Sequence, residues 1–304
     1  MGHTAPEWLL GLDFTCAPTA RKPITLAWGR RHGAVLKLER VEAIPSLDAF
    51  EALAMGEHPG APAQWLGGFD FPFGLPRVFV DALYPDLLTE AQPYSHTLIR
   101  RLHAQCGTRQ GFQALIDGWG QSWGQGTRPA TLPHRRTDTA IPGVSSTSPL
   151  QTRYVPVGKM YFEGLWRLVQ AGVSLPGLDS APPASDATLP PRLALEAYPG
   201  LLSTEILGRQ SYKSDARDGR DDPRLLQRLT LIDALEQGRT RLGLRLKLSP
   251  AQRDHLASDA QGDRLDAVLC LLQAAWAHAQ HEAGDPRWGL PADLDPVEGW
   301  ILGT

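Results

Sequence analysis

The chain reads as an α/β protein: a mixed five-stranded sheet flanked by helices, with a helical insertion between strands four and five. Three observations predict this. Apolar runs of strand length at residues 8–14 and 64–70 each carry an aspartate at or near their end. Between them, residues 24–28 and 34–38 alternate as two strands around a glycine-bounded turn at 29–33. From residue 76 the apolar spacing becomes helical, and the chain returns to a strand only at residues 192–196.

In order, residues 8–14 form a central strand, and 24–28 and 34–38 a hairpin that continues it antiparallel. Ser46 caps a short helix, and residues 64–70 return to the sheet until Pro72 stops them. Helical spacing runs from 76 to about 123, with Val78, Leu83, Leu98, Leu102, Phe112, Leu115 and Trp119 on separated faces. Residues 124–148, rich in Gly, Pro, Ser and Thr, form an irregular arm, and 155–173 resume as a helix. Residues 175–191 read as a surface linker before the fifth strand at 192–196. The last third is helical at 223–237, at 249–258 behind a Ser249 cap and Pro250, and at 263–280. Residues 297–302 are a candidate edge strand. The expected organisation is one domain over 1–304 with residues 76–190 as an insertion.

Bulk properties set bounds. At 304 residues the chain can bury a substantial core, and 42% hydrophobic with 21% charged residues is a globular composition. A formal net charge of -3 argues against bulk nucleic-acid binding, so any basic surface must be local. Three cysteines without CxxC spacing fit neither a disulfide framework nor a zinc site, and the nine histidines show no HxH or HxxxH pattern. There is no signal-like N-terminus and no apolar run of about 18 residues, so a cytoplasmic location and no membrane association are expected.

The chemistry is concentrated in four acidic stations: Asp13 in Gly-Leu-Asp-Phe-Thr, Asp70 in Gly-Gly-Phe-Asp-Phe-Pro-Phe, Glu196 in Leu-Glu-Ala-Tyr-Pro, and the Asp263/Asp266 pair on the late helix. Asp263 and Asp266 are three apart and share a helix face that small Ala267 and Cys270 continue. Each station has an ordinary reading: a turn residue for Asp13 and Asp70, a solvated strand residue for Glu196, a helix-end charge for Asp263. Asp266 lies inside an apolar helix, where an unpaired carboxylate is costly and needs a partner. Together, carboxylates at strand ends and on a packed helix make an all-oxygen cage suited to Mg²⁺ or Mn²⁺.

These motifs, with Arg21-Lys22-Pro23-Ile24 after the first station and Glu298-Gly299-Trp300-Ile301 near the end, resemble the DUF429 group of RNase H-like (RuvC-type) nucleases. The resemblance implies an RNase H-like sheet and a two-metal hydrolysis of a phosphodiester in nucleic acid. It assigns Asp13, Asp70, Asp263 and Asp266 as metal ligands, Asp13 bridging, with Asp70 standing where resolvases usually carry Glu. Glu196 has no standard counterpart but joins the catalytic candidates. Substrate phosphates then need cations, for which Lys22, Arg135, Arg136, Arg153, Lys159 and Lys213 are the candidates, with Trp119, Trp123 and Tyr154 interleaved for stacking on a single strand. Alternatives in other classes are a nucleotide or small phosphoester hydrolase, and a non-catalytic nucleic-acid-binding protein of the same fold. Sugar kinases and actin-like ATPases share the core, but their paired halves and glycine-rich phosphate loops are not visible here. The oligomeric state is not legible.

Overall fold

A computed structural model describes residues 5–89, 93–179, 189–214 and 224–304. It is a mixed α/β architecture whose sheet has six strands rather than the expected five. The chain runs β1 (Leu9–Asp13), β2 (Ile24–His32), β3 (Val35–Ile44), α1 (Leu47–Met55), β4 (Trp65–Asp70), α2 (Arg77–Leu83), α3 (Tyr94–Cys106), α4 (Arg109–Trp123) and α5 (Val157–Gln170). It continues with β5 (Arg192–Glu196), α6 (Pro199–Leu207), α7 (Leu225–Glu236), β6 (Arg245–Lys247), α8 (Pro250–Ala257) and α9 (Asp263–Glu282). The strand order is β5-β4-β1-β2-β3-β6. β2 is antiparallel to β1 and β3, whereas β4 is parallel to β1 and β5, and β6 parallel to β3. Among the described residues no helix is long and apolar enough to cross a membrane.

Three expectations are corrected. The sixth strand is Arg245–Lys247, too short for alternation to announce it, and residues 297–302 are a tail without strand pairing. The stretch read as a surface linker begins inside the protein: Leu175 and Leu178 are buried and Ser174 bridges to Leu193, while 180–188 lies outside the described residues. Helix α6, started by Pro199, followed the fifth strand unannounced. The cap signals did hold: Ser46 accepts from the Ala49 N–H, and Ser249 and Gln252 form a reciprocal box around Pro250.

Strand alternation divides the core into two layers. Leu10, Leu12, Trp28 and Phe69 face one layer with α1 and the α3–α5 insertion, while Leu9, Ala27, Leu66 and Leu195 face the other with α6–α9. In the first layer Phe14, Phe50, Phe69, Phe71 and Phe73 interlock, with Phe14 and Phe71 centroids 4.8 Å apart. These rings pin the ends of β1 and β4 from below, which leaves Asp13 and Asp70 on the opposite face.

That face is covered by α9 at unusually close range. A Cβ on Gly11 would lie 2.0 Å from the Ala267 carbonyl oxygen and 2.1 Å from the Leu271 nitrogen. One on Gly68 would lie 2.5 Å from the Cys270 carbonyl oxygen. Only glycine admits a helix backbone this near a strand. Gly11→Ala should therefore force α9 outward and cost several kcal/mol, the scale of an overpacked core. Chemical denaturation checks this, and an unchanged midpoint would contradict the close approach.

Candidate metal centre

Two strand ends and one helix build the site. β1 and β4 are parallel with Asp13 directly paired to Asp70, and Asp13 and Asp70 stand two residues beyond Gly11 and Gly68 on the same face. The docking of α9 on those glycines brings Asp266, one residue before Ala267, over both strand ends. One carboxylate oxygen from each of Asp13, Asp70 and Asp266 lies within 4.8 Å of the others. The sequence expectation for these three residues' proximity is met. Asp263, a turn earlier on α9, is half-buried and outside this group.

The electrostatics follow from crowding negative charge in a dry place. Burial, then the Asp266 and Asp70 carboxylates, push Asp13 well above the usual carboxylate range against the opposing Lys213 ammonium. Burial and Asp266 push Asp70 up to about 8. Burial also raises Asp263, opposed by Lys22. Asp266 itself is clasped: the Tyr212 hydroxyl donates to its Oδ1 and the Lys213 ammonium to its Oδ2. Burial would drain the Lys213 proton, but Asp266, Asp13 and Asp70 outweigh it and hold the ammonium charged. Burial and Asp266 raise Tyr212 as well, keeping its hydroxyl a donor. Three carboxylates thus face one lysine, and the donor set is oxygen alone. A hard divalent cation fits that deficit, with Asp13, Asp70 and Asp266 as the residues that would hold it.

The cluster opens into a cleft of ≈310 Å³ lined by Asp70, Tyr198, Arg209, Tyr212, Lys213 and Asp266. A second cavity of ≈250 Å³, walled by Phe71, Val155, Met160 and Tyr198, meets it at Asp70 and Lys213. Lys22 is exposed in the loop after β1, and Arg209 is exposed at the cleft.

Two of the candidates are engaged within the protein. Glu196 pairs with Phe69 in the β4–β5 register, so it points to the phenylalanine layer, away from Asp13 and Asp70. There it is bound by Arg135, whose Nη1 and Nη2 donate to its two oxygens at 2.8 and 2.6 Å, and by the Phe73 N–H at 2.9 Å. Arg135 is 2% exposed. Its remaining guanidinium hydrogens go to Asp138 and to the Glu298 carbonyl, so all five donors are spent inside the protein. Glu196 and Arg135 therefore join the irregular arm to the sheet; they line the second cavity together with Asp70 and Lys213, but not the cleft beside Asp266.

Two other arm cations are also paired. Arg136 pairs with Asp293 at 3.0 Å and covers the Trp300 ring, and Arg153 pairs with Asp117. Lys159 sits half-buried on α5 in the field of the Cys16 thiol. Sequence reasoning missed Tyr212 and Asp138. An aromatic beside the Lys213 candidate was the only available signal for Tyr212, and Asp138 carried none, since its role exists only once Arg135 is buried. No protein-family model matches the chain, no curated protein matches it, and no solved structure matches it.

Proposed function

We propose that the protein is a metal-dependent phosphodiester hydrolase of RNase H-like architecture, acting on nucleic acid through the Asp13–Asp70–Asp266 cluster. The observation that carries this reading is the convergence of three carboxylates, two of which line an open cleft, from adjacent parallel strand ends and a helix packed on glycines. Mg²⁺ or Mn²⁺ bound there would supply an activated water and charge neutralisation at the leaving oxygen. Asp13, paired directly with Asp70 across β1 and β4, would hold the ion together with Asp70 and Asp266. Tyr212 holds the Asp266 carboxylate in one orientation, which preorganises the cluster. Arg209 lines the opening and would face the substrate's phosphates, while Asp263 stands outside the three-carboxylate group at the helix end, in the field of Lys22.

A specific observation favours a second reading, a nucleotide or small phosphoester hydrolase. Arg135 is spent inside the protein and Arg136 and Arg153 are paired at the surface, so the arm offers fewer open cations to a polynucleotide backbone than its sequence suggests. The deciding experiment is hydrolysis of single-stranded, duplex, junction and RNA–DNA oligonucleotides and of bis-p-nitrophenyl phosphate, with Mn²⁺ or with EDTA. The nuclease reading expects Mn²⁺-dependent cleavage of at least one polynucleotide. Cleavage of the small ester alone selects the second reading, and metal-independent or absent hydrolysis of every substrate defeats both. Affinity for an oligonucleotide should fall only gently with salt, because few free cations meet its phosphates; a steep decline would return the arm to the interface.

A further inference from the structure

Lys213 brings a cation into the acidic cluster from outside the three carboxylate-bearing elements. It follows Tyr212 in the segment after α6, and the two side chains take the two oxygens of Asp266 between them. The ammonium also feels Asp13 and Asp70. Its side chain is nonetheless about half exposed, at 48%, whereas Asp266 is at 1%. It lines both cavities that meet at Asp70. A long flexible stem with a solvent-facing flank has room to move; the buried Asp266 does not.

We propose that Lys213 is a built-in competitor of the metal: its ammonium occupies the cation's place beside Asp266 and must leave when a divalent ion binds. This rests on the metal-centre reading above and adds a second position for one residue. The physical reason is charge balance. A single ammonium neutralises part of the cluster, and a divalent ion neutralises more, so both together crowd positive charge at Asp266 Oδ2. Once displaced, the ammonium remains in the cleft wall, where it pairs with a phosphate oxygen of the bound ester. The same lysine therefore weakens metal binding and strengthens substrate binding.

The test is Mn²⁺ binding to the full chain by calorimetry, beside kcat/KM for bis-p-nitrophenyl phosphate at saturating Mn²⁺. Lys213→Met should bind Mn²⁺ about tenfold more tightly, the size expected when one unit charge at contact distance is removed. The same variant should hydrolyse the ester roughly tenfold less well. Lys213→Arg keeps the charge and should bind Mn²⁺ no more tightly than the parent. Arg209→Met removes a charge from the same cleft without touching a carboxylate and should leave Mn²⁺ affinity unchanged. Equal or weaker Mn²⁺ binding by Lys213→Met overturns the proposal, as does an equal gain from Arg209→Met, which would reveal a general field rather than a shared seat. Undiminished hydrolysis by Lys213→Met overturns the phosphate contact. A parent protein that binds no Mn²⁺ fails at the metal reading itself, which separates the two failures.

Discussion

Asp13→Asn is expected to abolish Mg²⁺- or Mn²⁺-dependent hydrolysis and, in EDTA, to make the protein more stable than the parent. The activity loss should be at least about a hundredfold, because an ion contributes several kcal/mol of charge stabilisation that one missing ligand forfeits. The stability gain has the opposite origin. The metal-free cluster holds Asp13 and Asp70 above the usual carboxylate range, so ionising them costs the folded state more than the unfolded one. Removing a carboxylate should recover about 1–3 kcal/mol, the scale of an uncompensated buried group. The pH dependence fixes the sign. The folded Asp70 value of about 8 lies above an unfolded value of about 4, so its favourable contribution is complete below pH ~4 and is lost as pH rises towards 8. On the proposed metal reading, saturating Mn²⁺ should reverse the trend, since an ion held there would favour the deprotonated carboxylates. Melting curves across that window, with and without metal, check all three points. A parent whose metal-free stability rises steadily from pH 4 to 8 would contradict the crowded cluster.

Arg135→Met should produce a large loss of stability. It would leave Glu196 and Asp138 buried with no cation between them, and breaking a buried ion network from one side costs about 3–5 kcal/mol. Asp138 would retain only the Ser146 hydroxyl, at 2.6 Å, and the Arg135 backbone N–H, at 2.8 Å. Neutralising the survivors as well, in Arg135→Met/Asp138→Asn/Glu196→Gln, should recover much of the loss, because unpaired charge rather than lost volume is the main cost. Urea denaturation of the single and triple variants measures the difference. An Arg135→Met protein as stable as the parent would mean the network is not closed as described.

How much of this was legible depended on the range of the interaction. β1, β4, β5 and α9 announced themselves because each is a contiguous apolar run, and α1 and α8 because their caps are local. The Asp13, Asp70 and Asp266 stations were legible for the same reason: each sits at the end of, or within, such an element. Parity along β5 could have shown that Glu196 and Leu195 face opposite layers, but which layer holds the cluster depends on register with β4, a non-local quantity. The Arg135–Glu196 pair spans 61 residues and no local pattern encodes it. The arm's arginines read as a free basic surface because their partners, Asp117 and Asp293, lie far away in sequence. β6 escaped because three residues cannot display a period.

The seating of α9 on Gly11 and Gly68 also has a temporal side. The strand and its cover are separated by roughly 250 residues, so the contact that assembles the carboxylates is among the last that a growing or refolding chain can make, with a high loop-closure cost. Until then the middle of the sheet presents a side-chain-free furrow bordered by Leu9 and Leu66, with nothing of its own to cover it. Such an intermediate exposes apolar surface and invites association with other chains. Refolding yield should therefore fall with protein concentration more steeply than the stability of the finished protein would suggest, and the convergence of Asp13, Asp70 and Asp266 should be among the last features to return.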